Sequence, residues 1–507
     1  MVLLTDRFSK LIEGTLSCYD RIVVMGTMTG LNHPDGMAAY LYTHGIRLFD
    51  YPRFAEPFRD EIRANAEKLA KDHGVEIEFQ RSKSAFRKED HIHEIIAKRG
   101  DHPGLVHILS AMEPCGSYEP WHNKQTGKTF LRYKDAKCLH YYFYFIDAQL
   151  GLCYLRVPTW APFRLQFYCN GHNWLANRLR QEGIAFQQMD NTLIHVSDYA
   201  RAQDIANGFS VKMLHDILNQ AALLYCPVLT HFTDTYPDPY HWSIMQAEYA
   251  TDIVFKRQKD LDPLYDRLVR TAIHAVKAEN VATFLGRKLH PLYEDEVGND
   301  FHTRVEGTRI KHHMGPASIK MYDKQSLVLR IETTINDVSF FKHRREVVHR
   351  DKTKEMKLAP MQKTIYSLGP LRELLDAANR RYIAFLSDLI DPVGGVGKLD
   401  KLSSPVVKND RTYKGFNLFD KKDLDLFLAL ARGEWNLSGF QNSNLRRLLS
   451  ALTGPQLSRI LKRLHLHGLI RKVGKTYKYY LTRFGQQVVL TALKLRELVV
   501  IPELAVQ

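Results

Sequence analysis

The chain has 507 residues, more than one hydrophobic core usually organises, so about two to four domains are expected. Its 45% hydrophobic content supports real cores, while 71 Lys and Arg against 56 Asp and Glu give a net charge of +15 that favours a polyanionic partner, most often nucleic acid. No run of about 18 apolar residues suggests a membrane span, the charged start at residues 1–17 does not read as a signal peptide, and six cysteines without CxxC spacing read as reduced thiols, so a cytoplasmic protein is expected.

Residues 1–137 alternate strand-like and helix-like stretches: "RIVVMG" (21–26), an amphipathic stretch (54–74), "VEIEF" (75–79), a second helical pattern (88–100) and "GLVHIL" (104–109). Such alternation predicts an α/β region with helices packed on a sheet. The "HIH" at 91–93 lies in the helical pattern and reads as a solvated or capping feature. The stretch 113–128 reads as a long polar loop.

From residue 138 the pattern turns to aromatic strands, a helix near 173–183 and, from Pro263 to about Leu285, a helical region. Asn170 is expected to start a turn and Asn173 to cap the helix. Residues 138–390 are thus expected to form a central α+β domain, with a last helix at 371–390.

Two stretches within it place polar groups where a plain core would not. In "SIKMYDKQSLVLRIETT" (318–334), Ser318, Lys320, Tyr322 and Lys324 share one side of a first strand, and Arg330, Glu332 and Thr334 share one side of a second. Gathering them requires a hairpin loop with an odd number of residues, such as Gln325 to Leu327. In "QAEYATDIVFK", Gln246, Glu248 and Asp252 share one side, and the rhyme of Glu248 with Glu332 and Asp252 with Asp337 suggests two related βαβ-like halves.

The run "GTRIKHHMGPASIKMYDKQSLVLRIETT" resembles the core of the replication initiators of small rolling-circle plasmids, in which a G-x-x-x-S segment precedes a strand ending in Tyr-Asp/Asn-Lys and the next strand carries Arg-x-Glu. The resemblance implies Tyr322 as the nucleophile on a DNA phosphate. It implies Glu248, Asp252 and Glu332 as ligands of a divalent metal, with Ser318, Lys324 and Arg330 also matching. Oxygen ligands of this kind suit Mg or Mn. Lys320, Lys324 and Arg330 are expected to favour the phenolate of Tyr322 and to position the phosphate backbone. His312 and His313 are remote candidate ligands. The bland alternative is a polar sheet surface without chemistry, as in a transcriptional regulator.

Residues 391–415, rich in Gly, Pro, Ser and Lys, read as an exposed linker, and their "GGVGK" lacks the first glycine and the Ser or Thr of a phosphate loop. Residues 416–507 then read as helix, helix, helix, hairpin, helix: a winged helix-turn-helix. Gln456, Arg459, Lys462 and Arg463 are expected outward on the third helix, and Arg471, Lys472, Lys475 and Lys478 on the hairpin. This module holds 15 Lys and Arg against 6 Asp and Glu. It resembles the winged-helix domains of MarR-type bacterial regulators, which implies DNA binding.

The sequence therefore reads as an α+β multidomain, nucleic-acid-binding protein. DNA is the expected partner, structured RNA the alternative, and no membrane is involved. A homodimer is compatible with this reading.

Overall fold

The computed structural model describes residues 3–81, 88–236, 240–289, 297–304, 307–389, 400–432, 435, 439–474, 476–501 and 504. Contacts divide the chain into two units, Met1–Ile390 and Asp391–Gln507, and each is described by itself. The larger is mixed α/β. Its strands are β1 (Ile12–Thr27), β2 (Ile77–Gln80), β3 (Gly104–Asn123), β4 (Lys128–Asp147), β5 (Gly151–Pro158), β6 (Leu165–Cys169), β7 (Phe186–Met189), β8 (Thr192–Val196), β9 (His241–Phe255), β10 (Val297–Arg304), β11 (Gly307–Met314), β12 (Ala317–Lys324) and β13 (Val328–Ile335).

Eleven of these form one sheet in the order β10-β11-β12-β13-β9-β1-β6-β5-β4-β3-β2, while β7 and β8 pair separately. The order is a repeat. Reading outward from the centre, β1-β6-β5-β4-β3 on one side matches β9-β13-β12-β11-β10 on the other, and β1 and β9 join the halves in a long antiparallel ladder. This corrects the expected equivalence of the strands carrying Glu248 and Glu332: β9 and β13 are neighbours within one half, with Glu332 opposite Ala250. The expected boundary at residue 137 falls inside β4, so 1–137 and 138–390 contribute to the same sheet.

The 113–128 stretch, expected as a loop, lies mostly in the two longest strands, with Asn123 accepting from the Gln125 and Thr126 amides at the tip and Gly127 at φ 65°. Its charged residues occupy a ladder running from Gly104↔Ile146 to Asn123↔Lys128. Only part of this ladder is covered, with Ser117, Tyr118 and Leu131 buried while Trp121, His122 and Lys124 are exposed, so no regular period-2 apolar signal runs along it.

Around β9 and β13 the pleat sorts the side chains cleanly. Leu329, Ile331, Thr333 and Ile335 face the helix Leu368–Leu389, whose Asn379 accepts from the Thr333 hydroxyl at 2.6 Å and donates to the Tyr249 carbonyl at 3.0 Å. Leu329, Ile331 and Ile335 are buried, each contributing roughly 1.5–3 kcal/mol of apolar transfer. The alternate residues Arg330, Glu332 and Thr334 must then stand on the opposite face. Among the described residues, no helix is long and apolar enough to cross a membrane, and all six cysteines are unpaired.

The smaller unit contains a hairpin (Val406–Lys408 with Arg411–Tyr413), helices Lys421–Leu430, Asn442–Leu448 and Gly454–Leu466, a second hairpin (Ile470–Lys472 with Tyr479–Leu481) and helix Arg483–Leu495. The elements named from Lys421 to Leu495 run helix, helix, helix, hairpin, helix, and the first hairpin precedes them. The expected linker is shorter than 391–415: residues 390–399 lie outside the described residues, but Leu402 and Phe416 are buried in this unit's core. Between them Asn409 and Asp410, both at positive φ, close the first hairpin as the two central residues of a tight turn.

Candidate active site on the polar face of the sheet

The β12–β13 turn consists of Gln325, Ser326 and Leu327, the odd count that the cluster requires. Tyr322 therefore stands opposite Arg330, and Lys320 opposite Glu332. The Tyr322 hydroxyl donates to Glu332 Oε2 at 2.7 Å, and Lys320 Nζ donates to Glu332 Oε1 at 2.6 Å and to Glu248 Oε1 at 3.3 Å. Four of the sequence-predicted residues, Lys320, Tyr322, Glu248 and Glu332, thus meet in one hydrogen-bonded group.

Arg330 and Asp252 are on the same face but are occupied with each other. Arg330 is fully buried, its guanidinium forking onto the Asp252 carboxylate at 2.6 and 2.7 Å and donating also to the Asn191 carbonyl and the Thr192 hydroxyl. Asp252 is 1% exposed. The carboxylate expected as a metal ligand and the guanidinium expected at the phosphate are thus engaged with each other, and Asp252 stands outside the cluster that Glu248 and Glu332 form with Asp20. Both residues instead brace this face of the sheet from within. Lys324 turns toward the β7–β8 turn, where it meets the Asn191 side chain and Asp190.

The third carboxylate of the site comes from a strand that sequence reasoning passed over. The β1–β9 register shifts between Tyr19 and Arg21, so that Tyr19 faces Tyr249 and Arg21 faces the next residue, Glu248. At this bulge Asp20 leaves strict alternation, and one of its oxygens lies with those of Glu248 and Glu332 inside a 4.8 Å cluster. Arg21 stands 3.8 Å from Glu248. Asp20 is further held by the side-chain amides of Asn170 at 3.3 Å and Asn191 at 2.7 Å, and by His172, 3.1 Å away. Asn170, expected to start a turn, instead caps the helix Gly171–Gln181, the role expected of Asn173. A Cβ on Gly171 would sit 2.2 Å from the Tyr19 carbonyl oxygen, so only glycine lets the helix start this close to the bulge.

Burial and charge tune the groups in opposite directions. Burial, then the Glu332 charge, holds the Tyr322 hydroxyl well above the usual phenol range, which overturns the expected phenolate: the ring is a proton donor to Glu332. Burial and then Glu332 also push Glu248 upward. For Lys320 burial works against the charge, but Glu332 and Glu248 outweigh it and keep the ammonium strongly protonated. For Lys324 burial and Arg330 win, and its pKa is lowered. Asp252 would rise on burial, yet Arg330 holds it at about 2.

The three carboxylates Asp20, Glu248 and Glu332 form an all-oxygen donor set with two acidic groups crowding each other, which suits a hard divalent cation such as Mg or Mn. Such an ion supplies charge neutralisation to phosphoryl oxygens. His312 belongs to the core instead, bonded to Tyr382 at 2.9 Å with burial lowering it to about 4. His313 lies 3.6 Å from Asp300.

In the smaller unit Arg459, Lys462, Arg471 and Lys472 are exposed, and Lys478 is half-buried. Gln456 is exposed but its Oε1 accepts from the Thr453 amide at 2.8 Å. Lys475 lies outside the described residues. Arg463, expected outward, is not: it pairs with Asp423 at 2.8 and 3.0 Å and stacks 3.7 Å over Phe416. Its methylenes and planar head fill a gap that the helical wheel assigns to solvent.

No family model and no curated protein matches the chain. Solved structures similar to it include a rolling circle replication initiator protein from Geobacillus stearothermophilus, 10% identical, covering 64% of this chain and 75% of that one with a TM-score of 0.18. Another is the di-domain ARO/CYC BexL of the BE-7585A biosynthetic pathway, 8% identical, covering 60% of this chain and 94% of that one with a TM-score of 0.15. At such scores the functional reading rests on the residues themselves.

Proposed function

We propose that this protein is a metal-dependent DNA nicking and strand-transfer enzyme of the rolling-circle initiator type, with a basic winged helix that recognises its DNA. The observation that carries the reading is the Tyr322 hydroxyl 2.7 Å from Glu332, within a cluster of three carboxylates. In this scheme Glu332 takes the phenol proton as the Tyr322 oxygen bonds to phosphorus. The bond from phosphorus to a deoxyribose oxygen breaks, and that oxygen leaves with a proton from water. Lys320 and Arg21 offer positive charge beside the reacting phosphate. Asp20, Glu248 and Glu332 would hold Mg or Mn.

The smaller unit supplies affinity in this scheme. Arg459, Lys462, Arg471, Lys472 and Lys478 form its phosphate-contacting set, with Gln456 at the start of the third helix.

The test is to incubate the full chain with a pool of random single-stranded DNA and manganese, then to look for protein–DNA adducts that survive detergent. Adducts that need the metal and vanish in Tyr322→Phe support the reading. A second reading is favoured by Lys320, which already neutralises Glu248 and Glu332: a DNA-binding regulator without chemistry. Retained DNA binding with no adduct on any substrate, in wild type and variant alike, would establish it.

A further inference from the structure

At the far end of the same sheet, three side chains from three different elements meet without any part in the site above. Glu78 lies on β2, His107 on β3 and His91 on the helix Lys88–Arg99. His91 Nε2 is 2.9 Å from Glu78 Oε2 and His107 Nε2 is 3.3 Å from the same oxygen. We propose that Glu78, His91 and His107 form a second metal site, selective for a divalent transition ion of the zinc class and independent of the carboxylate cluster.

The donor set separates the two sites chemically. Two imidazole nitrogens and one carboxylate suit zinc, cobalt or nickel, whereas three carboxylates suit magnesium or manganese. The three ligand atoms of the Glu78 cluster lie within 4.8 Å of one another, a spread that small side-chain movements bring around one ion. The other Glu78 oxygen accepts from Gln80 Nε2 at 2.7 Å, which fixes the carboxylate plane. His107 is buried, and Nε2 is the ring nitrogen it turns toward Glu78.

The helix explains why only one histidine of "HIH" joins. Ile92 is fully buried against Val106, Leu109 and Tyr142, and this anchors the rotation of the helix. His91 then faces Glu78 while His93 stays exposed. Partial exposure of Glu78 and His91 leaves room for water in the remaining coordination positions. An ion here would tie the four-residue edge strand β2 to β3 and to the helix above it.

The same two contacts can be made by neutral Nε2–H donors, and the experiment separates the possibilities. Full-length protein stripped with a chelator is saturated with magnesium, then titrated with zinc in a chelator competition, and the bound zinc is examined by X-ray absorption. The expected result is one zinc per chain with two imidazole ligands, a raised melting temperature, and affinity weakened roughly 100-fold or more in His91→Ala, since losing even an outer-shell partner costs about 10- to 100-fold. His93→Ala, on the exposed side of the same helix, serves as the control and keeps full affinity. The proposal is overturned if zinc does not bind, if it binds through oxygen alone, or if His91→Ala binds as tightly as wild type; the last comparison holds because His91 is partly exposed and its loss leaves the helix anchored by Ile92.

Discussion

Arg330 and Asp252 face each other directly across the β13–β9 ladder, the guanidinium fork meeting both carboxylate oxygens at 2.6 and 2.7 Å in a site closed to water. Removing one partner of such a pair strands the other charge in a low-dielectric interior. Arg330→Ala is expected to cost about 3–5 kcal/mol in urea unfolding. Arg330→Lys should recover only part of it, because an ammonium cannot span two oxygens. A stable Arg330→Ala protein would mean that the face is more open than the geometry indicates.

Tyr322→Phe removes a hydroxyl and nothing else. The fold should lose about 1 kcal/mol for the hydrogen bond to Glu332, and DNA affinity should be unchanged. Adduct formation should disappear. If the variant nicks DNA at the wild-type rate, another nucleophile is at work.

Acid should weaken the larger unit in a specific window. Asp252 ordinarily titrates near 3.8 and in the fold is held at about 2, so its ionised form is the one the structure favours. Its contribution, about 2 kcal/mol, is complete above pH 4 and is lost as the pH falls toward 2. Asp20, also lowered, adds to the loss, while Glu248, which is raised, opposes it. Urea titrations between pH 5 and 2 should therefore be steeper for wild type than for Asp252→Asn. Equal slopes would refute the assignment.

Two arginines four residues apart on one helix should behave as opposites. Arg463→Ala breaks the pair with Asp423 and the stacking on Phe416, and should lower the melting temperature of the smaller unit at a cost of about 2–4 kcal/mol. Arg459→Ala, on the exposed side, should leave stability within about 0.5 kcal/mol and weaken DNA binding, with a reduced salt dependence. Calorimetry and binding at two salt concentrations distinguish them.

The hairpin was legible because strand alternation and turn length are local: Tyr322, Lys320 and Glu332 follow from counting residues. Asp20 was not, because a bulge defeats counting and β1 meets β9 only in three dimensions. Asp252 looked like a ligand because a carboxylate on the right face gives no sign of who claims it; a buried arginine did. Arg463 misled for the converse reason, since a long aliphatic stem can turn an outward position inward. In the zinc-class site His91 looked solvated because its partners lie on β2 and β3, beyond any helical pattern.

The seam between β1 and β9 has a consequence for biosynthesis. Its two strands come from opposite halves of the repeat, so β1 leaves the ribosome long before its partner on that side exists. Until β9 is translated, the nascent chain carries a sixteen-residue strand with one row of amides and carbonyls unmatched, an open template for strand exchange with other chains. A product truncated after β8 would keep that raw border permanently, and its handling in the cell would depend on chaperones rather than on its own thermodynamics.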